Sequence, residues 1–468
     1  METSAKKGLN ISARSFIIAL AVIFALMILA YLITLVIPGG EYARIADESG
    51  NMIVDTSSEF KNVEGNLSFW QWLFSPFLVL TVDGSATIIA VIIFLLVIGG
   101  VFNLLEKSGL MRYMLDLITF KYKSRRYKLM AVMMLAFMAM GALVGSFEEV
   151  VPLVPIVVAL AVSLGWDPLT GVAMSLLATG CGFSTGVCNP FTVGVAQELV
   201  GLPMFSGIWL RLLAFICIYF LLLWFVRTYA KKVERDDAEE LDGSFEYNDN
   251  LGKALKIFVI AILCGIVLVL LSPFITVLQD FTLIIFALAF LVGGVASALC
   301  AGLKGKAFAK VFWDGMVSLL PAVVMILMAS SIKYILEQSH RLDTIIHAAV
   351  GIAGTMPKWA VILFIYLIVL IMNFFIASGS AKAFMLIPLI VPIARVFSIP
   401  AQLCIVAYAF GDGFSNVFYP TNPALLISLG VSDISYSKWA KFSLKFQLLN
   451  LVLTSLILLL GLAVGYGA

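Results

Sequence analysis

Charge is what this sequence has least of. Only 12% of its 468 residues are Asp, Glu, Lys or Arg, against about 25% in an ordinary soluble domain. With 62% of residues hydrophobic, too few polar groups are left to cover a water-soluble surface. Histidine is nearly missing: His340 and His347 are the full complement. They are near-neighbours in one stretch, far from the motifs described below, and suit a surface or interfacial place. Neither a zinc centre nor a Ser–His–Asp set can be assembled from them. The six cysteines (Cys181, Cys188, Cys217, Cys264, Cys300 and Cys404) are scattered through apolar segments. They show no metal-ligand spacing and no disulfide framework. A net charge of +2 without a basic patch argues against nucleic acid. No Gly-x4-Gly-Lys-Ser/Thr run is present, so nothing in the chain points to ATP use.

What the chain does have is apolar runs of membrane length, ~18 residues or more. The first is expected as a retained helix over 15–37. Lys6, Lys7 and Arg14 precede it and place the N-terminus in the cytoplasm. It ends at Pro38-Gly39-Gly40 with no small-residue cleavage site, unlike a signal peptide. The polar connection 39–66 suits the exterior, and Phe69-Trp70-Gln71-Trp72 an aromatic interfacial belt. A helix over 86–105 returns inward to Lys121-Tyr-Lys-Ser-Arg-Arg-Tyr-Lys128, the clearest cytoplasmic marker. Further helices are expected over 207–229, 254–271, 281–301 and 442–462. An acidic linker, 235–250, joins the two halves in the cytoplasm. The second half retraces the first, with Ile335-Leu-Glu-Gln-Ser339 like Leu104-Leu-Glu-Lys-Ser108, and counting that crossing too puts the C-terminus outside. The mixed charges of 337–358 leave its side open.

Two of the long runs are interrupted. Within 168–200, Gly180, Gly182, Gly186 and Asn189-Pro190 break the helix. Within 400–430, Gly411-Asp412-Gly413 and Asn422-Pro423 do the same. Gly182-Phe183-Ser184 matches Gly413-Phe414-Ser415, and Asn189-Pro190 matches Asn422-Pro423. Broken backbone must be buried in protein or line a cavity. Interruptions in matching positions of two halves point to a transporter binding site. Two more runs, 129–164 and 359–397, are interrupted at 145–149 and 377–383. Arms of about 17 residues fall short of the ~20 needed to span, so re-entrant hairpins are expected. The expected fold is an all-α polytopic membrane protein with two inverted repeats, each holding a re-entrant hairpin and a broken transmembrane helix. The first repeat is 1–230, the linker and connecting helix 231–280, and the second repeat 281–468.

The interruptions carry the polar residues. Glu148 and Glu149 near mid-membrane cost on the order of 2.5–3.5 kcal/mol each if ionised. They should therefore face a cavity, pair, or cap the second hairpin arm. Lys382, beside Ser378 and Ser380, can meet an anionic substrate group or snorkel outward. With Ser146, Thr185, Asn189, Asn416, Thr421 and Asn422 these form the expected substrate set. Gly182, Ser184, Asp412, Gly413 and Ser415 form the expected cation set. Helix ends, hydroxyls and free carbonyls together suit a carboxylate beside a cation such as Na⁺. Small residues packing helices closely would leave a similar pattern.

Several of these runs resemble a known group. Gly145-Ser-Phe-Glu-Glu149 with Pro152 and Pro155, Asn189-Pro-Phe-Thr-Val-Gly-Val-Ala-Gln197 with Gly201-Leu-Pro203, Ser378-Gly-Ser-Ala-Lys-Ala383, and Phe410-Gly-Asp-Gly-Phe-Ser-Asn416 with Pro420-Thr421 carry the likeness. They resemble the YfcC-like members of the C4-dicarboxylate anaerobic carrier group, in the ion transporter superfamily. The resemblance spans nearly the whole chain. It implies paired re-entrant hairpins, elevator-type movement, often a homodimer, and substrates drawn from amino acids or small carboxylates. Some relatives are described as arginine/ornithine antiporters. Ala381 and Asn422-Pro423 depart from the group's pattern at the proposed site.

The expectation is an inner-membrane secondary transporter without a cofactor, coupled to Na⁺ or H⁺. One reading is an amino-acid carrier, including exchange of basic amino acids. Glu148, Glu149 and Asp412 would attract the amino group, and Lys382 and helix ends would hold the carboxylate. The alternative is a Na⁺-coupled carrier of C4-dicarboxylates or other organic anions, with the acids serving the cation. A channel would show continuous polar helix faces, and an intramembrane enzyme a catalytic set; the sequence has neither.

Overall fold

Backbone crossing hydrocarbon must satisfy its own hydrogen bonds, and this chain does so with helices. The computed structural model describes residues 13–46, 52–54, 59–65, 67–82, 85–122, 125–145, 147–203, 205–234, 247–271, 281–353 and 356–467. Among them, eight helices are long and apolar enough to cross a membrane. The protein is therefore a multi-pass membrane protein. The first helix is Ala13–Val36. The connection after it holds two small antiparallel strand pairs, Gly40–Glu41 with Lys61–Asn62 and Arg44–Ala46 with Met52–Val54. Most of the linker expected over 235–250 lies outside the described residues, and its last two residues already belong to the helix Asp249–Leu271.

The succession of elements occurs twice. Ser85–Lys107, Leu110–Tyr122 and Arg126–Val144 are followed by a turn, a short helical stretch from Glu148 to Ser163, and Pro168–Thr185. After a gap come 190–199 and Ile208–Val233. In the same order stand Leu320–Gln338, Leu342–Ala353, Lys358–Phe375, Gly379–Val396, Ala401–Asn416, Pro423–Val431 and Tyr436–Ala463.

Side-chain contacts fix which ends lie together. Arg126 donates to the Leu164 carbonyl at 3.0 Å and pairs with Glu234, and Tyr229 donates to Asp167 at 2.7 Å. The segment 126–164 thus returns to the end it left, beside the start of the first interrupted helix. At the opposite end of Ile208–Val233, Gln402 donates to the Ser206 carbonyl and Tyr466 to that of Gly207. A helix of 26 residues separates these two groups, about 39 Å at 1.5 Å per residue. The two interrupted helices therefore start from opposite ends of the molecule.

The core is continuous through both interrupted helices and their neighbours. A smaller one is built from Phe94, Phe102, Phe258, Phe286 and Phe290, where Ser85–Lys107, Asp249–Leu271 and Thr282–Cys300 pack together. The stretch around Arg341 is tied to the first connection. Arg341 donates to the Ile37, Gly65 and Ser339 carbonyls, and Asp343 accepts from Arg44 and the Tyr42 amide. Burial raises the Asp343 pKa, and Arg44 opposes that rise. His347 bonds Tyr42 and stacks on Phe60, so it serves this knot.

Candidate functional site

Both interrupted helices restart by the same local chemistry. Asn189 Oδ1 accepts from the amides of Phe191 (3.0 Å) and Thr192 (3.3 Å). Asn422 Oδ1 accepts from the Leu425 amide at 3.2 Å. An amide cap followed by proline is a helix start signal, because proline needs no partner for the N–H it lacks. Asp167 caps the first helix likewise, accepting from the Thr170 amide at 3.0 Å, with Pro168 next.

The glycines act differently from expectation. The first helix runs without a gap to Thr185 and ends at Gly186, where φ is +53°. The second runs to Asn416. Gly180, Gly182, Gly411 and Gly413 lie inside these helices, and their small size lets other backbone come close. A Cβ on Gly182 would strike the Met138 carbonyl, and one on Gly413 the backbone of Ser184. The two Gly-Phe-Ser motifs thus meet where the two helices cross. Ser184 and Thr185 are buried, and their hydroxyls donate to carbonyls of their own helix, Gly180 at 2.8 Å and Gly182 at 2.7 Å.

The open backbone of the second gap is satisfied by side chains. Trp439 Nε1 donates to the Val417 carbonyl (2.8 Å) and Gln447 to that of Phe414 (2.9 Å). At the first gap the Cys188 amide donates to Ala142 (2.9 Å). Both turns reach these gaps. Gly145 abuts the Asn189 side chain, and Phe147 packs on Phe183 with ring centres 6.2 Å apart. Gly379 abuts Thr192 and Asp412, and Tyr408 donates to its carbonyl.

One polar network ties the second turn to the second gap. Lys382 and Asp412 are fully buried, with Nζ to Oδ1 at 2.5 Å. Lys382 Nζ also donates to Asn373 Oδ1 and to the Ile376 carbonyl, the latter at 3.0 Å. Asn373 Nδ2 donates to the Asp412 carbonyl, Ser415 Oγ and Asn416 Oδ1 at 2.7–2.9 Å. Asn422 Nδ2 joins at Asn416 Oδ1, 3.2 Å away. Ser378 stands apart from the network, exposed, capping the helix Gly379–Val396; Ser380 is half-buried. Thr421 is buried and its hydroxyl has no partner among the described residues.

The two acids of the first turn part company. Glu149 is buried, whereas Glu148 lines a cavity of about 100 Å³. Its other walls include Ile88, Phe94 and Leu95 of one helix and Ile326 and Ser330 of another. Pro423, Ala424 and Ile427 bring the restarting helix into the same lining. Lys382 is not in this lining. Ser146 lies outside the described residues.

A family model described as "C4-dicarboxylate anaerobic carrier" matches residues 16–463. The chain belongs to that family. A relative from Escherichia coli (strain K12), named "Putative basic amino acid antiporter YfcC", is 26% identical over 406 residues, covering 81% of this chain and 79% of its own. Two solved structures are similar at 16% identity. The YdaH transporter of Alcanivorax borkumensis has a TM-score of 0.47 and is covered at 97% of this chain and 99% of its own. MtrF of Neisseria gonorrhoeae, whose description places it among antimetabolite efflux pumps, has a TM-score of 0.46 with 94% of each chain covered.

Three polar residues of this carrier-family chain were not singled out from sequence. Asn373 is the hub of the network, and its signal was available: a lone amide in the apolar run Lys358–Phe375 must find partners. Gln197 and Gln402 are buried and bond each other at 3.3 Å, and both donate to Ser206. Each is likewise a single amide in an apolar stretch.

Proposed function

We propose that this protein is a secondary active transporter of small carboxylate-bearing solutes, with amino acids as its substrates. The carrying observation is Glu148, the one ionisable side chain among the described residues lining the cavity. Across a space whose other walls are apolar except for Ser330 stands the start of the helix Pro423–Val431. An α-amino group suits the acid, and a carboxylate suits the helix start. The apolar walls leave room for a side chain. At ~4 Å and an effective dielectric near 20, a charge contact of this kind is worth about 4 kcal/mol. That is enough to disfavour a dianion unless a cation screens Glu148. The name of the Escherichia coli relative agrees with this reading. Exchange of basic amino acids falls within it.

The reading includes two inverted repeats, 1–230 and 281–468, joined by 231–280. Its support is the twofold succession of elements and the opposite starting ends of the interrupted helices. The segments 129–164 and 359–397 are then re-entrant hairpins. Movement is of the elevator type, the N-terminus is cytoplasmic, the C-terminus external, and the chain is an inner-membrane homodimer.

The test is binding and uptake in proteoliposomes with arginine, ornithine, neutral amino acids, succinate and fumarate, in Na⁺ and in choline. Glu148→Gln should weaken amino-acid binding at least about 10-fold, the loss of 1.4 kcal/mol or more. Wild-type protein that takes succinate or fumarate and ignores every amino acid would overturn the assignment. The family description favours that second reading, a Na⁺-coupled dicarboxylate carrier in which Glu148 serves the cation.

A further inference from the structure

The Lys382 ammonium is enclosed by oxygens at the second interruption. It touches three oxygens from two segments of the chain. Asn373 Oδ1 comes from the last turn of Lys358–Phe375, the Ile376 carbonyl from the turn, and Asp412 Oδ1 from the helix that ends at the gap. Such a cage of carboxylate, amide and free carbonyl oxygens is what a bare monovalent cation needs at a helix interruption. Lys382 and Asp412 are both fully buried. The first half has no equivalent: no Lys or Arg occurs between Lys128 and Arg211, and its turn carries Glu148 and Glu149 instead.

We propose that Lys382 is a tethered cation, its ammonium filling a monovalent-cation site at the second gap in place of free Na⁺. The ligands of that site are Asn373 Oδ1, the Ile376 carbonyl and Asp412 Oδ1. The inference goes beyond the choice of solute and holds for an amino-acid or a dicarboxylate carrier alike. An ordinary buried ion pair makes a different prediction. Removing the lysine from a simple pair leaves a damaged site. Removing it from a cation cage leaves a vacant site of suitable ligands.

The experiment counts ²²Na⁺ bound per protomer by scintillation proximity, on purified full-length protein in a choline background. Lys382→Ala should bind one Na⁺ more than wild type, and Lys382→Ala with Asp412→Asn should lose that gain. Asp412→Asn alone should leave the wild-type count unchanged, because the site is already filled by the lysine. This last arm stands even if Lys382→Ala does not fold. A Lys382→Ala protein with the wild-type count, or a wild-type count that falls by one on Asp412→Asn, overturns the proposal.

Discussion

At the scale of single residues, charge sets the largest energies. Lys382 and Asp412 each lose their hydration on burial, and only their partners make that tolerable. Removing one partner leaves an uncompensated charge, so Lys382→Met should cost about 3–5 kcal/mol. Adding Asp412→Asn should restore most of it, because the pair rather than either residue is what the site tolerates. Thermal or urea unfolding in detergent, with choline as the only cation, checks this. Glu148 and Glu149 make the contrasting case. Glu148→Gln should act on binding with little change in the unfolding midpoint. Glu149→Gln should leave binding nearly intact and shift the midpoint instead. The sequence marked these acids and Lys382 as unusual because an ionisable group in an apolar run always is. Which partner each would meet was not legible. Asp412 is 30 residues from Lys382, on another helix. Asn373, which joins them, lies within the uninterrupted apolar run Lys358–Phe375, where no break in the pattern marks it.

At the scale of elements, local signals were readable and crossings were not. Asp167-Pro168, Asn189-Pro190 and Asn422-Pro423 each specify a helix start through a cap and a proline within four residues. Such chemistry is visible in the sequence itself. Asn422→Ala should therefore cost about 0.5–2 kcal/mol through the cap, with a further loss from its bond to Asn416. Gly182 and Gly413 taught the opposite lesson. Their freedom of backbone suggested a break, yet the helices continue through both. What decides their role is the chain that approaches them, Met138 for one and Ser184 for the other. Gly413→Ala should destabilise by about 1–3 kcal/mol or more, the range for overpacking a filled site. Its Cβ would meet the Ser184 hydroxyl and, just behind it, the Ser184 backbone, which cannot swing aside. The melting midpoint should fall, and activity at low temperature should fall with it, since the crossing positions both gaps.

At the scale of the whole molecule, the cavity lies on a boundary. On one side stand Ser85–Lys107 and Leu320–Gln338, the second packed along Ala13–Val36 and the first within the smaller core. On the other stand the first turn and Pro423–Val431, joined to both interrupted helices. Most of the apolar runs and the doubled motifs were legible in the sequence, but which helices face each other across the site was not. If the second group slides past the first, bridging the boundary must stop transport, and a bridge within one group must not. Ile326→Cys with Ile427→Cys spans the boundary, since both residues line the cavity. Ser206→Cys with Gln402→Cys lies within the sliding group, where the side chains are already 3.2 Å apart. In a background lacking the six native cysteines, Hg²⁺ should abolish counterflow in the first double variant and spare the second, and excess dithiol, which strips the Hg²⁺ from the two thiolates, should restore it. Counterflow that survives bridging of 326 to 427 would exclude movement at this boundary. Glu148 would then have to alternate its access by local opening of the turn alone.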